Sequence, residues 1–504
     1  MTCTNAAHRI KHIASLRQRG IMTLQLVVFG GIAIIFLSGF VVWADALVRS
    51  VIRASDRAAA FTVAEAGIEY YRWHLAHASQ DYWDGNGSST PGPYAHPYYD
   101  KNGVQIGQFL LEITPPPSGS TVVTVKSIGR VLSDVLIKKI ITVRLGVPSF
   151  AKYAAAVHEN VRFGQGTEIF GPVHSNGGVR MDGVAHNIVT SALPSYDDPD
   201  HTGAVEFGVH THVNPPPGSG INDSFRPQEA PPTSPVPTRS DVFLVGRQLS
   251  VPALDFAGVT QDLSQIRGSA IAKGFYASSS GAQGYEVVFK TNDTFDLFRV
   301  NSTTTPPSGC YNSQSQDGWG TWSINTKTLR GTYPIPANGL IFIEDNVWVK
   351  GTINSARVTV ASARFPDAPA TRSSITVNEN LLYTNYDGQD VIGLIAQKNI
   401  NIGLVSSSTL RVDAALIAQN GRVGRYYYSQ PTRFSNRCSP HHVKTQITTY
   451  GMIASNQRYG FAYTDGTGYQ LRDLIYDSHL LYGPPPSFPL TSDTYEMISW
   501  DETQ

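Results

Sequence analysis

Cysteine is scarce, with three residues in a chain of 504. That count excludes a disulfide-dense scaffold and a cysteine-rich metal module. Charge is scarce too: 15% of residues carry it, and Lys plus Arg equals Asp plus Glu at 39 each. No excess of either sign marks a nucleic-acid partner or an acidic substrate. The chain has no G-x-S-x-G elbow and no phosphate-binding loop, so two common motif-borne chemistries drop out. Proline is plentiful at 31 residues but missing between Asp45 and Ala78. That gap leaves room for one unbroken helix.

What is abundant is Gly (45), Pro, Ser, Thr and Tyr (24). The balance suits β-rich, turn-rich extracellular architecture, and the length calls for two or three domains. The opening stretch, "QRGIMTLQLVVFG" at 18–30, follows a basic leader and runs into apolar sequence. A cleaved secretory signal, a permanent anchor and a pilin-type leader all begin this way. Residues 21–44 hold no Asp, Glu, Lys or Arg and as a helix would span about 36 Å, enough to cross a bilayer core. Arg9, Lys11, Arg17 and Arg19 precede the span, which predicts a cytoplasmic N-terminus. Arg49, Arg53 and Arg57 on the far side weaken that bias, although Asp45 and Asp56 accompany them. A removable signal has a shorter apolar core and a small-x-small cleavage site, neither of which is seen. Beyond the span, over 45–78, Phe61, Ala64, Ile68, Tyr71 and Leu75 recur at three- and four-residue steps. The spacing predicts an extracytoplasmic amphipathic helix continuous with the apolar one. Together they make nearly 60 residues, about 85 Å.

A basic leader (1–20) ending in Gly20, an apolar helix starting at Ile21, and "AEAGIEYY" at 64–71 resemble type IV pilins, above all minor pilins of the PilX type. The resemblance implies prepilin-peptidase cleavage between Gly20 and Ile21 and methylation of the new N-terminus. It also implies inner-membrane lipid around the precursor helix and other pilin subunits around the assembled one. The departure is Gln25, where most pilins carry Glu at the fifth mature position. An amide can hydrogen-bond but cannot neutralise a neighbouring subunit's amine, which points away from major-pilin packing and toward a minor, tip-located subunit. The plainer alternative is an anchor helix with a stalk.

Residues 79–147 read as a small antiparallel sheet, with 79–103 a surface loop and strands at Gln105–Thr114, Thr121–Ile128 and Val135–Leu145. Its apolar face needs a cover, and the helix stripe supplies one. This is an α+β pilin-like module. Past Pro148 short β-branched runs follow asparagine at Asn160, Asn346, Asn380 and Asn399, with Asn176 and Asn420 as looser copies. Asparagine tolerates the left-handed backbone of a sharp corner, and coils of about 20 residues predict a mainly-β domain, a β-solenoid. "VIGLIAQ" (391–397) and "DAALIAQN" (413–420) are near repeats. The expected layout is a solenoid start at 148–191, a Pro-rich and aromatic insertion at 192–337, the main solenoid at 338–489 and a tail at 490–504. The region 339–489 looks like an uncharacterised domain often found behind PilX-type N-termini. A β-sandwich is the alternative.

Cys310 and Cys438 either pair in an oxidising compartment or stay two buried thiols; a bridge there is worth about 4–5 kcal/mol in the chain-entropy model. His210 and His212 share a strand face, with Asp197, Asp198, Asp200 and His201 upstream, yet no recognised ligand spacing is met. His441 and His442 beside Cys438 are weaker still, and His174 with Ser175 reads as a corner. Asp413, Arg411, Glu344 and Asp345 could be pressed into the role of the carboxylates and arginine of a polysaccharide-cleaving β-helix, but solvated surface charge is the default. The expectation is no catalytic residue, no metal and no cofactor.

The sequence thus predicts a minor pilin-like subunit of a bacterial inner membrane, then of the cell surface or pilus. Its outer domain would prime assembly or adhere to an unknown surface ligand. A single-pass surface protein outside any pilus is one alternative. A tethered carbohydrate-binding or carbohydrate-active β-helix protein is the other, with Trp319 and Trp322 available for stacking.

Overall fold

The computed structural model describes residues 11–88, 90–117, 119–200, 205–213, 236–256, 258–490 and 494–503. Two units are present: Met1–Pro115 with Val123–Leu145 and Met497–Gln504, and Pro116–Val122 with Gly146–Glu496.

In the first unit one helix, α1, runs Lys11–His77 without a break. The pattern predicted this continuity, since no proline interrupts it. From Ile21 onward it is about 86 Å long, and it is long and apolar enough to cross a membrane. Its second half buries Ala60, Val63, Ala64, Ile68, Tyr71 and Leu75. Four of the five predicted stripe residues are among them; Phe61 lies at the edge, half-buried. The cover is shared with a five-stranded sheet. Four strands follow in sequence, β1 (Tyr94–Tyr99), β2 (Gln105–Thr114), β3 (Val122–Val131) and β4 (Lys138–Gly146), and Glu496–Thr503 adds to β4. β1 pairs antiparallel with β2, and β2 with β3. On β3 the buried positions alternate through Val123, Val125, Ser127 and Val131, the period-2 pattern of a sheet with one covered face. Two expectations fail here. The aromatic part of 79–103 is an edge strand rather than loop, and the supposed tail returns as the fifth strand, held also by Lys139 Nζ to Glu502 Oε1 at 2.6 Å.

Close approach sets which residues can face α1. A Cβ on Gly129 would lie 2.2 Å from the Ala60 carbonyl oxygen and 2.3 Å from the Ala64 nitrogen. One on Gly67 would meet Ser127 Oγ at 2.3 Å. At Gly129 the sheet therefore comes against the helix backbone, and at these two positions there is no room for a Cβ.

The second unit is built from parallel ladders. In the longest, Phe275–Ala277, Leu340–Ile343, Arg357–Ser362, Val391–Ala396 and the ends of Thr409–Ala418 and Val443–Ser455 stack one on the next. The strand after Ile453 in space is Ala155–Val157, followed by Val173–Ser175, Val189–Ser191 and Arg247–Gln248. The chain thus enters mid-ladder, builds outward to Gln248, and crosses through α2 (Gly258–Lys273) to the far end at Phe275. From there it builds inward until it meets its own start. Two further ladders run alongside. One takes in Val347–Ile353, Ile375–Thr376, Ile400–Ile402 and Val423–Arg425. The other takes in Leu381–Tyr383, Val443–Ser455, Gly468–Tyr476 and Thr167–Phe170.

The near repeats are direct neighbours: Leu394 pairs with Leu416 and Ile395 with Ile417. Alternate residues of this ladder face two cores. Leu394 and Leu416 join the main core, while Ile395 and Ile417 belong to a second cluster that also holds Leu263, Ile266 and Ala270 of α2. Burial on both faces is why these strands read as continuous apolar runs.

Three expectations are corrected. Residues 192–337 are not one insertion, because Val209–His210, Arg247–Gln248, Phe275–Ala277 and Gly284–Phe289 all stack in parallel on other strands. The antiparallel strands Thr294–Thr303 and Ile324–Pro334 do stand apart from that stacking; the Pro-rich stretch at 214–235 lies outside the described residues. Coils are not uniformly about 20 residues: Ile341, Val360, Leu394, Leu416 and Ile453 succeed one another at steps of 19, 34, 22 and 37. The asparagines are not left-handed corners, since none is among the residues with positive φ. Their amides bridge coils instead. Asn160 Oδ1 accepts from Gly178 N–H at 2.7 Å, Asn346 Oδ1 from Ser374 N–H at 3.0 Å, and Asn399 Oδ1 from Arg422 N–H at 2.9 Å. Each bond satisfies a backbone donor that a corner takes out of its ladder.

Candidate functional site

The Gly20–Ile21 bond lies within the α1 backbone. From Ile21 to Val42 the apolar side chains are exposed, Leu26 at 75% and Phe36 at 74%. Gln25 sits exposed within this run. Among the described residues nothing in its own unit covers this apolar cylinder, whose length is enough to cross a bilayer core.

Cys310 and Cys438 are joined by a disulfide across 128 positions of sequence. Leu404, Tyr426 and Tyr428 pack round it. The bond removes Cys438 as a thiolate ligand for His441 and His442. Arg425, fully buried nearby, lies 4.6 Å from the Tyr428 ring centroid and donates to the carbonyls of Leu404 and His441 at 3.1 and 2.7 Å.

The carboxylates of the glycan-cleaving alternative are committed to partners. Asp413 is fully buried; its Oδ1 accepts from Arg411 Nε at 2.8 Å and its Oδ2 from the Tyr386 hydroxyl at 2.7 Å. Burial pushes its carboxyl up despite those donors. Asp345 is buried and accepts from Ser280 N–H at 2.8 Å and from Arg364. Glu344 holds Arg267 at 2.7 Å. His174 bonds Thr190 Oγ1 at 2.8 Å inside a ladder, an ordering role.

The histidine pair has a different setting. Val209–His210 stacks on Val179–Met181, which puts His210 beside Arg180. Glu206–Phe207 pairs antiparallel with Ser195–Tyr196. On extended backbone, residues 206, 208, 210 and 212 share one face; Phe207 is buried and Val209 and Val213 enter the main core. Glu206, His210 and His212 thus converge with Asp198, all four buried, with their ligand-type atoms within 4.8 Å of one another. His210 Nε2 lies 2.8 Å from Glu206 Oε2 and 3.4 Å from Asp198 Oδ2, and His212 Nε2 lies 3.0 Å from Glu206 Oε1. Behind them Arg180 Nη1 donates to Asp198 Oδ2 at 3.2 Å, and its Nε to Asp182 Oδ2 at 2.6 Å. Asp182 Oδ1 accepts the His212 N–H at 2.9 Å.

Burial raises both carboxyls of the cluster, but neighbouring charge and donors outweigh it. His210, the Asp200 N–H and Arg180 hold Asp198 well below the usual range, and His210 and His212 bring Glu206 to about 2. Burial alone would lower His210; the two carboxylates reverse that and raise it. Asp197 and Asp200 stay outside the four, Asp200 pairing with Arg458, and His201 lies outside the described residues. Sequence reasoning found the histidines and Asp198 but missed Glu206. The signal was the alternation in "EFGVHTH", with acid, glycine, histidine and histidine two apart.

No protein-family model matches the chain, and no curated protein matches it. Among solved structures it is similar to the competence-associated pilin ComZ from Thermus thermophilus. The identity is 12% and the TM-score 0.29, over 89% of this chain and 98% of that one. A score that low leaves the function to be argued from this chain's own residues.

Proposed function

We propose that the chain is a minor type IV pilin-like subunit of the PilX type. In this reading it is made as an inner-membrane precursor, cut between Gly20 and Ile21, and assembled through α1. The β unit, read as a β-solenoid, is carried outward to prime assembly or adhere to a surface, and no reaction is assigned to it. The observation that carries the reading is the division of labour along α1. One half is buried against a sheet, and the other is apolar, exposed and preceded by a basic leader ending in glycine. A plain anchor, the second reading, needs lipid around the apolar half but no cleavage; within the pilin reading, Gln25 cannot neutralise a partner's amine and so suits a minor rather than a major subunit.

The deciding measurement is the N-terminal residue and intact mass of the chain from sheared surface filaments and from membranes. A chain beginning at Ile21 in filaments supports the pilin reading. One beginning at Met1 and confined to membranes overturns it in favour of a tethered surface protein.

A further inference from the structure

We propose that Asp198, Glu206, His210 and His212 form a structural site for one divalent transition-metal cation of the zinc class. Two imidazoles and two carboxylates are a four-donor nitrogen and oxygen set. Imidazole selects against the hard cations Ca²⁺ and Mg²⁺ and suits Zn²⁺. Donors placed tetrahedrally at about 2.0–2.1 Å from zinc stand roughly 3.3 Å apart. The contacts at 2.8, 3.0 and 3.4 Å bracket that separation.

The second observation is His210 itself. Its side chain is fully enclosed, and its Nδ1 has no hydrogen-bond partner among the described residues. Nε2 lies 2.8 Å from a Glu206 oxygen and 3.4 Å from an Asp198 oxygen, two carboxylates converging on one nitrogen. Two carboxylates and two imidazoles whose ligand-type atoms all lie within 4.8 Å of one another are placed as ligands are.

The surroundings fit a closed site. Asp182, which accepts the His212 N–H, and Arg180, which donates to Asp198, fix ligand orientation from behind, the arrangement that tunes metal affinity elsewhere. All four side chains are at most 4% exposed. Four protein donors complete a tetrahedral zinc, so the proposed site is structural rather than catalytic. Asp198 follows the strand Ser195–Tyr196, while Glu206, His210 and His212 lie on the chain that comes back along it. The cation would clasp this excursion onto the ladder strand Val179–Met181.

The full chain, purified in detergent without a metal-affinity step from zinc-supplemented cells, should carry close to one zinc by elemental analysis. Zinc K-edge absorption should show two imidazole shells with light donors at about 2.0–2.1 Å. Glu206→Gln and the double variant His210→Asn, His212→Asn should lose at least nine-tenths of the zinc with an unchanged far-UV spectrum. If these variants do not fold, the absorption spectrum of the unaltered chain decides. Absence of imidazole scattering overturns the site, as does zinc retained in full by a folded double variant. A metal-free chain that ZnCl2 fails to load or stabilise after unfolding and refolding also overturns it; the cluster is then a closed ion-pair network.

Discussion

Ile453 pairs in parallel register with Ala155, nearly three hundred residues earlier in the chain. The strand that ends the inward run of the long ladder is the bed on which the outward run begins. Both residues are fully enclosed in the main core. Ala155→Asp would bury an unpaired carboxylate at this seam, and the expected loss is about 3 kcal/mol or more. Urea unfolding of the full chain in detergent reads it. Phe434→Ala, at a 90% exposed position, should stay within about 0.5 kcal/mol. Equal midpoints for the two variants would deny the seam.

Gly129 admits α1 to the sheet. Adding one methyl group there drives it into the Ala60 carbonyl and the Ala64 nitrogen. Gly129→Ala should cost about 1–3 kcal/mol by overpacking. Gly30→Ala, where no atom stands within 4 Å, should be neutral. Thermal melting followed in the far-UV separates them.

The Cys310–Cys438 bond closes a loop of more than a hundred residues. Its removal in Cys310→Ser, Cys438→Ser should lower stability by about 4–5 kcal/mol in the chain-entropy model. Reduction of the unaltered chain should shift its unfolding midpoint by a similar amount. A shift under about 1 kcal/mol would mean the unfolded chain gains little freedom when the loop opens.

Lys444 is buried beside Arg425, donating to the Ser406 carbonyl at 2.5 Å. Burial first, and the Arg425 charge second, push its ammonium down to about 8. Between about pH 8 and the unfolded value near 10.4, the unfolded chain holds a proton that the folded chain has released. Stability should therefore rise with pH through this window. Below it the cost of the buried charge is constant. The buried tyrosines act in the opposite sense above pH 10, so the comparison is with Lys444→Met. The difference between the two unfolding curves should narrow from pH 8 to 10; a constant difference would refute the depressed value.

Much of this was legible in the chain because it is local. The 3.6-residue stripe through Ala64, Ile68, Tyr71 and Leu75 names the buried face of α1 before any sheet is known. The β2 strand and the near repeats are equally plain, since period and apolar run length are properties of ten residues. The asparagines were legible as marks of corners but misread in mechanism, because composition shows where a side chain recurs, not what its amide reaches. Glu206 was passed over because an acid two strand-steps from a histidine is ordinary on a solvated face. Only the pairing with Tyr196 puts it inside.

By itself, the sequence determined the long helix, its apolar and amphipathic halves, and the alternation of the strands. Each depends on neighbours within a few turns of backbone. The tertiary structure decided that Glu496–Thr503 returns to the first sheet, that Ala155 seats on Ile453, and that Asp198 meets Glu206, His210 and His212. Those contacts join segments whose strand patterns are compatible with several partners. The choice among partners is made by which arrangement buries the most apolar surface while leaving the fewest backbone groups unpaired.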